Sequence, residues 1–253
     1  MTASPALRGK HAARPAAAGV FTKFVLDYAA QHPNRTITVL QVGCTTAGPE
    51  LDLAELRTRL ANVVVCLVDD DSPQAEFVVQ SHPELQAAIL ADLRSVPLAP
   101  RSFDIVHCPM LLDRISHADL VLGRLVAALR PGGLLLIRTA DRQTAAGFLD
   151  RKLPRRLRAA AWPVTRPGQP GPFPPIYEPI ASARGLSAFM TKHGLAVAHR
   201  EACTVLDGSG RATLVLGARK LVAWLSRGRL SCGHDELRYV VRKPEDRFAR
   251  VLP

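Results

Sequence analysis

Five short, continuously apolar runs, each flanked by a helical pattern, constrain this chain more than any other feature. They lie at 37–42 (Ile-Thr-Val-Leu-Gln-Val), 63–68 (Val-Val-Val-Cys-Leu-Val), 88–90, 103–106 and 134–137. A strand with no polar alternation is covered on both faces, which is the habit of a parallel sheet with helices on either side. Leu53, Leu56 and Leu60 mark one helix face. Leu120, Leu122, Leu125, Val126 and Leu129 mark another, which ends at Arg130-Pro131-Gly132-Gly133. An earlier amphipathic helix over 20–30 carries Phe21, Phe24, Val25 and Tyr28 on one side. Later come a helix over 181–193 with Gly194 as its C-cap, a strand over 195–204 and a strand over 236–241. Between the last two strands, residues 211–228 form a basic amphipathic helix, too long for a hairpin turn. The expected fold is α/β: a doubly wound, mostly parallel seven-stranded sheet with a basic helical insertion before the last strand.

At 253 residues the chain is long enough for one large domain. The expected organisation is a disordered basic tail over 1–19 and a single domain over 20–253. Within it, 36–140 forms a ligand-binding core and 141–230 a cover over the substrate. The cover holds a basic helix over 141–162 interrupted at Pro154, then a rigid, non-helical segment with seven prolines over 163–179. No apolar run is long enough to span a membrane. The five cysteines are widely spaced with no CxxC pair, which argues against a disulfide framework or metal site and suits a reduced, cytoplasmic setting.

Charge divides the chain. Residues 1–140 are neutral overall, and the entire excess of +11 lies in 141–253. Such asymmetry suggests an anionic partner. In the helix over 211–228, Leu214, Val215, Ala218, Leu221, Val222 and Leu225 fall on one side. Arg211, Arg219, Lys220 and Arg227 fall on or beside the other, with Trp224 at the border. Peripheral contact of 211–229 with an anionic membrane is one reading; packing of the apolar side on its own domain is the other. Nucleic acid is not expected, for want of a recognition motif and of exposed aromatics. The oligomeric state is left open.

In a parallel α/β sheet, ligands bind beyond the carboxyl ends of the strands near the point where strand order reverses. Four segments end there: 41–48 after the first strand, Asp69 after the second, Asp92-Leu93 after the third, and His107-Cys108-Pro109 at the fourth. A glycine such as Gly43 lets backbone approach a ligand. A carboxylate such as Asp69 accepts from two ribose hydroxyls. A histidine ordinarily titrates near neutral pH, so His107 and His117 are candidates for a general base. Tyr177 and Glu178 follow the proline-rich segment and could fold over the site.

At these residues the chain resembles the class I S-adenosylmethionine-dependent methyltransferases of the small-molecule type. The resemblance covers about 36–140 and rests on order and spacing: Ala91-Asp92-Leu93-Arg94-Ser95-Val96-Pro97-Leu98, then Ser102-Phe103-Asp104-Ile105-Val106, then Leu129-Arg130-Pro131-Gly132-Gly133-Leu134-Leu135-Leu136-Ile137. It implies S-adenosylmethionine as cofactor. Gln41, Gly43, Cys44 and Thr45 would pass under its methionine part, Asp69 with Asp70 beside it would hold the ribose, and Asp92 and Leu93 would meet the adenine. The segment from His107 to Leu111, including Cys108, would line the transfer site, with His107, His117 and Tyr177 as catalytic candidates. The chain differs from the family pattern at Gln41, usually acidic, at Thr45 and Ala47, usually glycine, and at Arg114, where a histidine is common. An Asp52/Glu55 capping box also points to a helix starting after Asp52. The implied function is methyl transfer to a small, apolar or anionic acceptor by direct displacement. The alternative is a non-catalytic binding or scaffold protein on the same fold. A nicotinamide-dependent dehydrogenase is disfavoured, because 43–48 supplies only the outer glycines of a GxGxxG turn.

Overall fold

The computed structural model describes residues 19–43, 51–60, 62–69, 75–76, 79–80, 85–166, 171–204 and 210–245, without the side chains of 210–212. The strands are β1 (Ile37–Val42), β2 (Val63–Asp69), β3 (Ala87–Leu90), β4 (Phe103–Pro109), β5 (Leu129–Ala140), β6 (Ala196–Cys203) and β7 (Glu236–Arg242). They form one sheet in the order β3-β2-β1-β4-β5-β7-β6. The first five run parallel, and β7 is antiparallel to both of its neighbours. Strand order reverses between β1 and β4, so the ligand crevice of such a sheet falls at the carboxyl ends of these two strands.

The helices are α1 (Val20–Ala30), α2 (Leu53–Arg59), α3 (Ala118–Ala128), α4 (Ala145–Lys152), α5 (Arg155–Thr165), α6 (Ala183–Lys192) and α7 (Gly210–Leu225). Alternate strand residues feed two apolar layers, as the two-residue strand period requires. Val39 and Ile105 pack with Phe21, Val25, Leu51 and Leu56 on the α1/α2 side. Leu40, Val42, Val106 and Cys108 pack with Leu122, Leu125 and Leu186 on the α3/α6 side. Asp52 caps α2, its side chain accepting from the Glu55 N–H at 2.9 Å, so the capping box marks the helix start.

Two expectations need correction, and a third is decided only in part. The Pro-Gly-Gly turn is not a loop between helix and strand. β5 starts at Leu129, directly after α3, and the register against β4 shifts between Phe103 and Ile105. Gly132 has φ +80°, and a Cβ on Gly133 would stand 2.6 Å from the Asp104 carbonyl, so these glycines let the strand begin as a bulge. The proline-rich segment is not wholly non-helical either, since Pro163 lies in the last turn of α5. The third concerns α7. It packs on α4 and α5, but it does not bury its leucines. Arg219 is the residue turned inward, ion-paired at 2.7 Å with Asp235, while Leu214, Leu221, Trp224 and Leu225 face outward. Burying the arginine requires its carboxylate partner, and Asp235 supplies it. The expected tail falls outside the described residues apart from Gly19.

Away from the crevice, at the amino ends of β1 and β4, Asp104 is fully buried and heavily bonded. It accepts from the Tyr28 hydroxyl at 3.1 Å, from the Thr38 N–H at 3.0 Å and from the Thr38 hydroxyl at 2.7 Å, and it pairs with Arg35 and Arg130. This hub ties α1, β1, β4 and β5 together and holds the far end of the sheet.

Candidate active site

β1 ends at Val42, and the chain turns at Gly43 with φ +92°, its N–H donating to the Val68 carbonyl at 2.9 Å. Asp69 ends β2 beside it and is buried. Leu93 is buried against Val96 and Leu40, so its side chain belongs to the core. Asp92 is exposed, and Arg94 grips it bidentately at 2.7 and 2.9 Å. This pairing, with the Arg94 N–H, holds the Asp92 carboxyl below its usual range. Exposed ion pairs are weak, so the carboxylate can exchange Arg94 for another donor. Cys44, Thr45 and Asp70 lie outside the described residues.

The side chain standing over this crevice is Arg114, which the sequence pattern marks only as the place of a missing histidine. Its Nη2 would sit 2.8 Å from a Cβ on Gly43 and lies 4.0 Å from Asp69 Oδ1. Its guanidinium stacks on Phe173, 4.2 Å from the ring centroid. It donates no side-chain hydrogen bond to a described residue. A side chain at Gly43 would therefore collide with Arg114 as well as strain the turn.

His107 is not at this site. It points to the α1 face of the sheet, edge-on to Phe21 at 5.6 Å. Burial, helped by the Arg138 cation, pushes its pKa down to about 3. The neutral ring's Nδ1–H donates to Gln41 Oε1 at 2.6 Å, and Gln41 and His107 are register partners across β1 and β4. This pairing accounts for the departure at Gln41: a neutral amide matches a buried neutral imidazole without burying a charge. Gln41 and His107 are partners of each other, Gln41 Nε2 also donates to the Gly43 carbonyl at 3.5 Å, and His107 is not placed as a base at the crevice. Cys108 is also corrected. It packs in the α3-side core, and burial pushes its thiol up to about 12; Arg114 opposes this with a smaller lowering and Asp113 adds a smaller rise.

His117 is exposed, with φ +58°, at the N-cap of α3. Its backbone, not its ring, is engaged. Glu178 accepts from the His117 and Ala118 N–H groups at 2.7 and 2.9 Å, as suits a carboxylate at a helix N-terminus. This clamp fixes the strap over 171–182, which the Asp113 carbonyl also holds through the Ile176 and Tyr177 N–H groups. Tyr177 is buried, so it is not an open lid residue. Its hydroxyl donates to Asp150 at 2.8 Å and accepts from Arg166 at 2.9 Å. Burial drives its phenol well above 10; Arg166 opposes the rise, and Asp113 and Asp150 add to it. Arg166, counted in the sequence among the surplus cations, is buried and paired with Asp113 at 3.2 Å and Asp150 at 3.5 Å. A cavity of about 150 Å³ opens beside this network, walled by Ala140, Leu149, Leu153 and Ala161 and roofed by Val215 and Ala218 of α7.

A seven-stranded sheet with β7 reversed beside β5, and a glycine turn and an acidic residue ending β1 and β2 at the switch point, define a class I S-adenosylmethionine-dependent methyltransferase fold. A family model described as a methyltransferase domain matches residues 12–200, and the chain belongs to that family. No curated relative matches the sequence. The fold is similar to that of an S-adenosylmethionine-dependent methyltransferase from Mesorhizobium loti (16% identity, 85% of this chain and 96% of that one, TM-score 0.50). It is also similar to the plantazolicin methyltransferase BamL (12%, 88% and 82%, TM-score 0.52) and to the (4+2)-cyclase SpnF (18%, 88% and 80%, TM-score 0.51). At these identities the likeness concerns the fold.

Proposed function

We propose that this methyltransferase binds S-adenosylmethionine across Gly43, Asp69 and Asp92 and transfers its methyl group to a small acceptor with an apolar body. The observation that carries the reading is the pairing of Gly43 and Asp69 at the switch point with a cation beside them, Arg114, which donates no side-chain hydrogen bond to a described residue. The cofactor supplies an activated methyl on a sulfonium. The chain supplies position. The Gly43 turn gives a surface without a side chain, the Asp69 carboxylate accepts from the ribose hydroxyls, and Arg114 turns its free donors to the methionine carboxylate. No base of suitable pKa among His107, Cys108 and Tyr177 reaches the crevice, which fits an acceptor already nucleophilic, aligned in line with the breaking bond.

The apolar cavity beside Tyr177 supports an apolar acceptor. Its wall residues Ala140 and Tyr177 pack with Met110, the residue that follows β4. The cavity therefore borders the end of the strand on which transfer is centred in this fold.

The test is calorimetric titration with S-adenosylhomocysteine, followed by the same titration of Asp69→Ala. Binding is expected, weakened at least about tenfold in the variant, the loss of one or two charge-assisted hydrogen bonds. No heat at millimolar ligand overturns the enzyme reading and leaves the non-catalytic one, in which Arg114 fills the crevice instead of serving it.

A further inference from the structure

We propose that α7 and the groove at its C-terminal end form a docking surface for an anionic phospholipid bilayer. Leu214, Leu221 and Leu225, spaced seven and four residues apart, share one helix face and are 76%, 55% and 63% exposed. Trp224 borders them at 75% exposure. An apolar stripe on water marks an interaction site. It is not an error of packing, because the inward face is occupied by Val215, Val222 and the Arg219–Asp235 pair.

The charges around the stripe choose the partner. Lys220, Arg227 and Arg229 are exposed beside it, and Lys152, Arg155 and Arg156 are exposed on the α4–α5 side against which α7 packs. None of these six makes an ion pair with a described residue. No Asp or Glu occurs between Arg151 and Tyr177, nor between Gly208 and His234. A second copy of the chain would set these cations against their own like. A nucleic acid would leave three leucines unmatched. A bilayer with anionic headgroups satisfies both parts: leucines enter the acyl boundary, Trp224 sits at headgroup level, and the lysine and arginines reach the phosphates.

A second feature agrees. At the end of α7 a groove of about 670 Å³ is lined by Phe148, Val222, Leu225 and Leu230, with Arg227 and Arg229 among its walls. An apolar slot beside two guanidiniums suits one acyl chain with its phosphate. The docking surface stands apart from the Gly43–Asp69 crevice, so it is testable whether or not methyl transfer occurs.

The experiment is co-sedimentation of the full chain with vesicles of phosphatidylcholine, with and without phosphatidylglycerol. Binding is expected only with phosphatidylglycerol, falling as salt rises, with a blue shift of Trp224 emission; Trp162 is already buried and contributes a constant signal. Lys220→Glu/Arg227→Glu/Arg229→Glu should lower partitioning by well over about tenfold, since each cation near the surface contributes about 1 kcal/mol. Leu221→Ser/Trp224→Ser should lower it on the same vesicles. All five positions are exposed, and unchanged thermal unfolding of both variants certifies the fold. Equal binding to neutral vesicles, or partitioning unmoved by either variant, overturns the proposal. So does a lipid-free dimer that Leu221→Ser/Trp224→Ser disperses, which would assign the face to a second copy, or binding of single-stranded RNA without binding of vesicles.

Discussion

Two arginines flank the strap over 171–182, and their side chains are equally hidden, each 9% exposed. Their surroundings differ. Arg166 is enclosed by Asp113, Asp150 and the Tyr177 hydroxyl. Burial acts against its charge, and these acidic partners outweigh the penalty. Among the described residues, Arg114 has the face of Phe173 and a carboxylate 4.0 Å away. Equal burial thus conceals opposite roles. The acceptors that satisfy Arg166 are built into the chain, so it is a structural pin. Arg114 stands beside Gly43 and Asp69 at the switch point, where the proposed cofactor carboxylate would complete its pairing.

Removing the pin should have the largest effect. Arg166→Met leaves Asp113 buried without its cation, takes from half-buried Asp150 the nearer of its two, and should cost about 3–5 kcal/mol of stability in urea unfolding. Arg114→Met should cost about 1 kcal/mol or less, the scale of a stacked cation. Equal losses would abolish the distinction between the two.

Ligand affinity should report the reverse order. Arg114→Met should weaken S-adenosylhomocysteine binding by about tenfold or more, equivalent to ~1.5–3 kcal/mol for bonds to a charged group. Affinity that rises instead would make Arg114 a plug rather than a ligand clamp.

The sequence carries the sheet well and the side-chain pairings poorly. Apolar runs locate β1, β2 and β4 because burial on both faces is written in consecutive residues. Gly43 and Asp69 follow from strand ends. The fate of Arg166, Arg219 and His107 does not, because each is decided by a partner remote in the chain. Arg166 meets Asp113, Arg219 meets Asp235, and His107 meets Gln41 only through the β1–β4 register. A helical-wheel count cannot by itself say which side of α7 faces inward. It weighs residues singly, and a single buried ion pair decided the outcome. Likewise Gln41 reads as a lost acid until its neutral partner is in view.

His107 extends the comparison to the far face of the sheet, where a neutral ring replaces a paired cation. Its folded pKa of about 3 lies below the unfolded value of about 6.5. Above that unfolded value both states are neutral, and the contribution to stability is complete. Below it the unfolded chain binds the extra proton, so stability is lost as pH falls toward 3. Between pH 6 and 4 the native chain should lose stability more steeply than His107→Gln, by a slope approaching ~1.4 kcal/mol per pH unit. Parallel pH profiles would mean that the ring protonates in the folded state, and would return it to the candidates for general base.

The last test asks whether the strap takes part in chemistry. Tyr177→Phe removes the donor to Asp150 and the acceptor for Arg166 while keeping the ring, and should cost about 1–2 kcal/mol. The phenol itself should be silent. Burial pushes Tyr28 up to about 12, and Tyr177 and Tyr239 are raised as well. These three are all the tyrosines of the chain, so at pH 10 the native protein should show less tyrosinate absorbance than the unfolded chain, and none of it from Tyr177. A phenolate that titrates there and vanishes in Tyr177→Phe would make Tyr177 available as a base and erase the contrast between the pinned side of the strap and the binding side. Its absence leaves Tyr177 as a hydrogen-bond bridge, holding the wall of the acceptor cavity next to the end of β4.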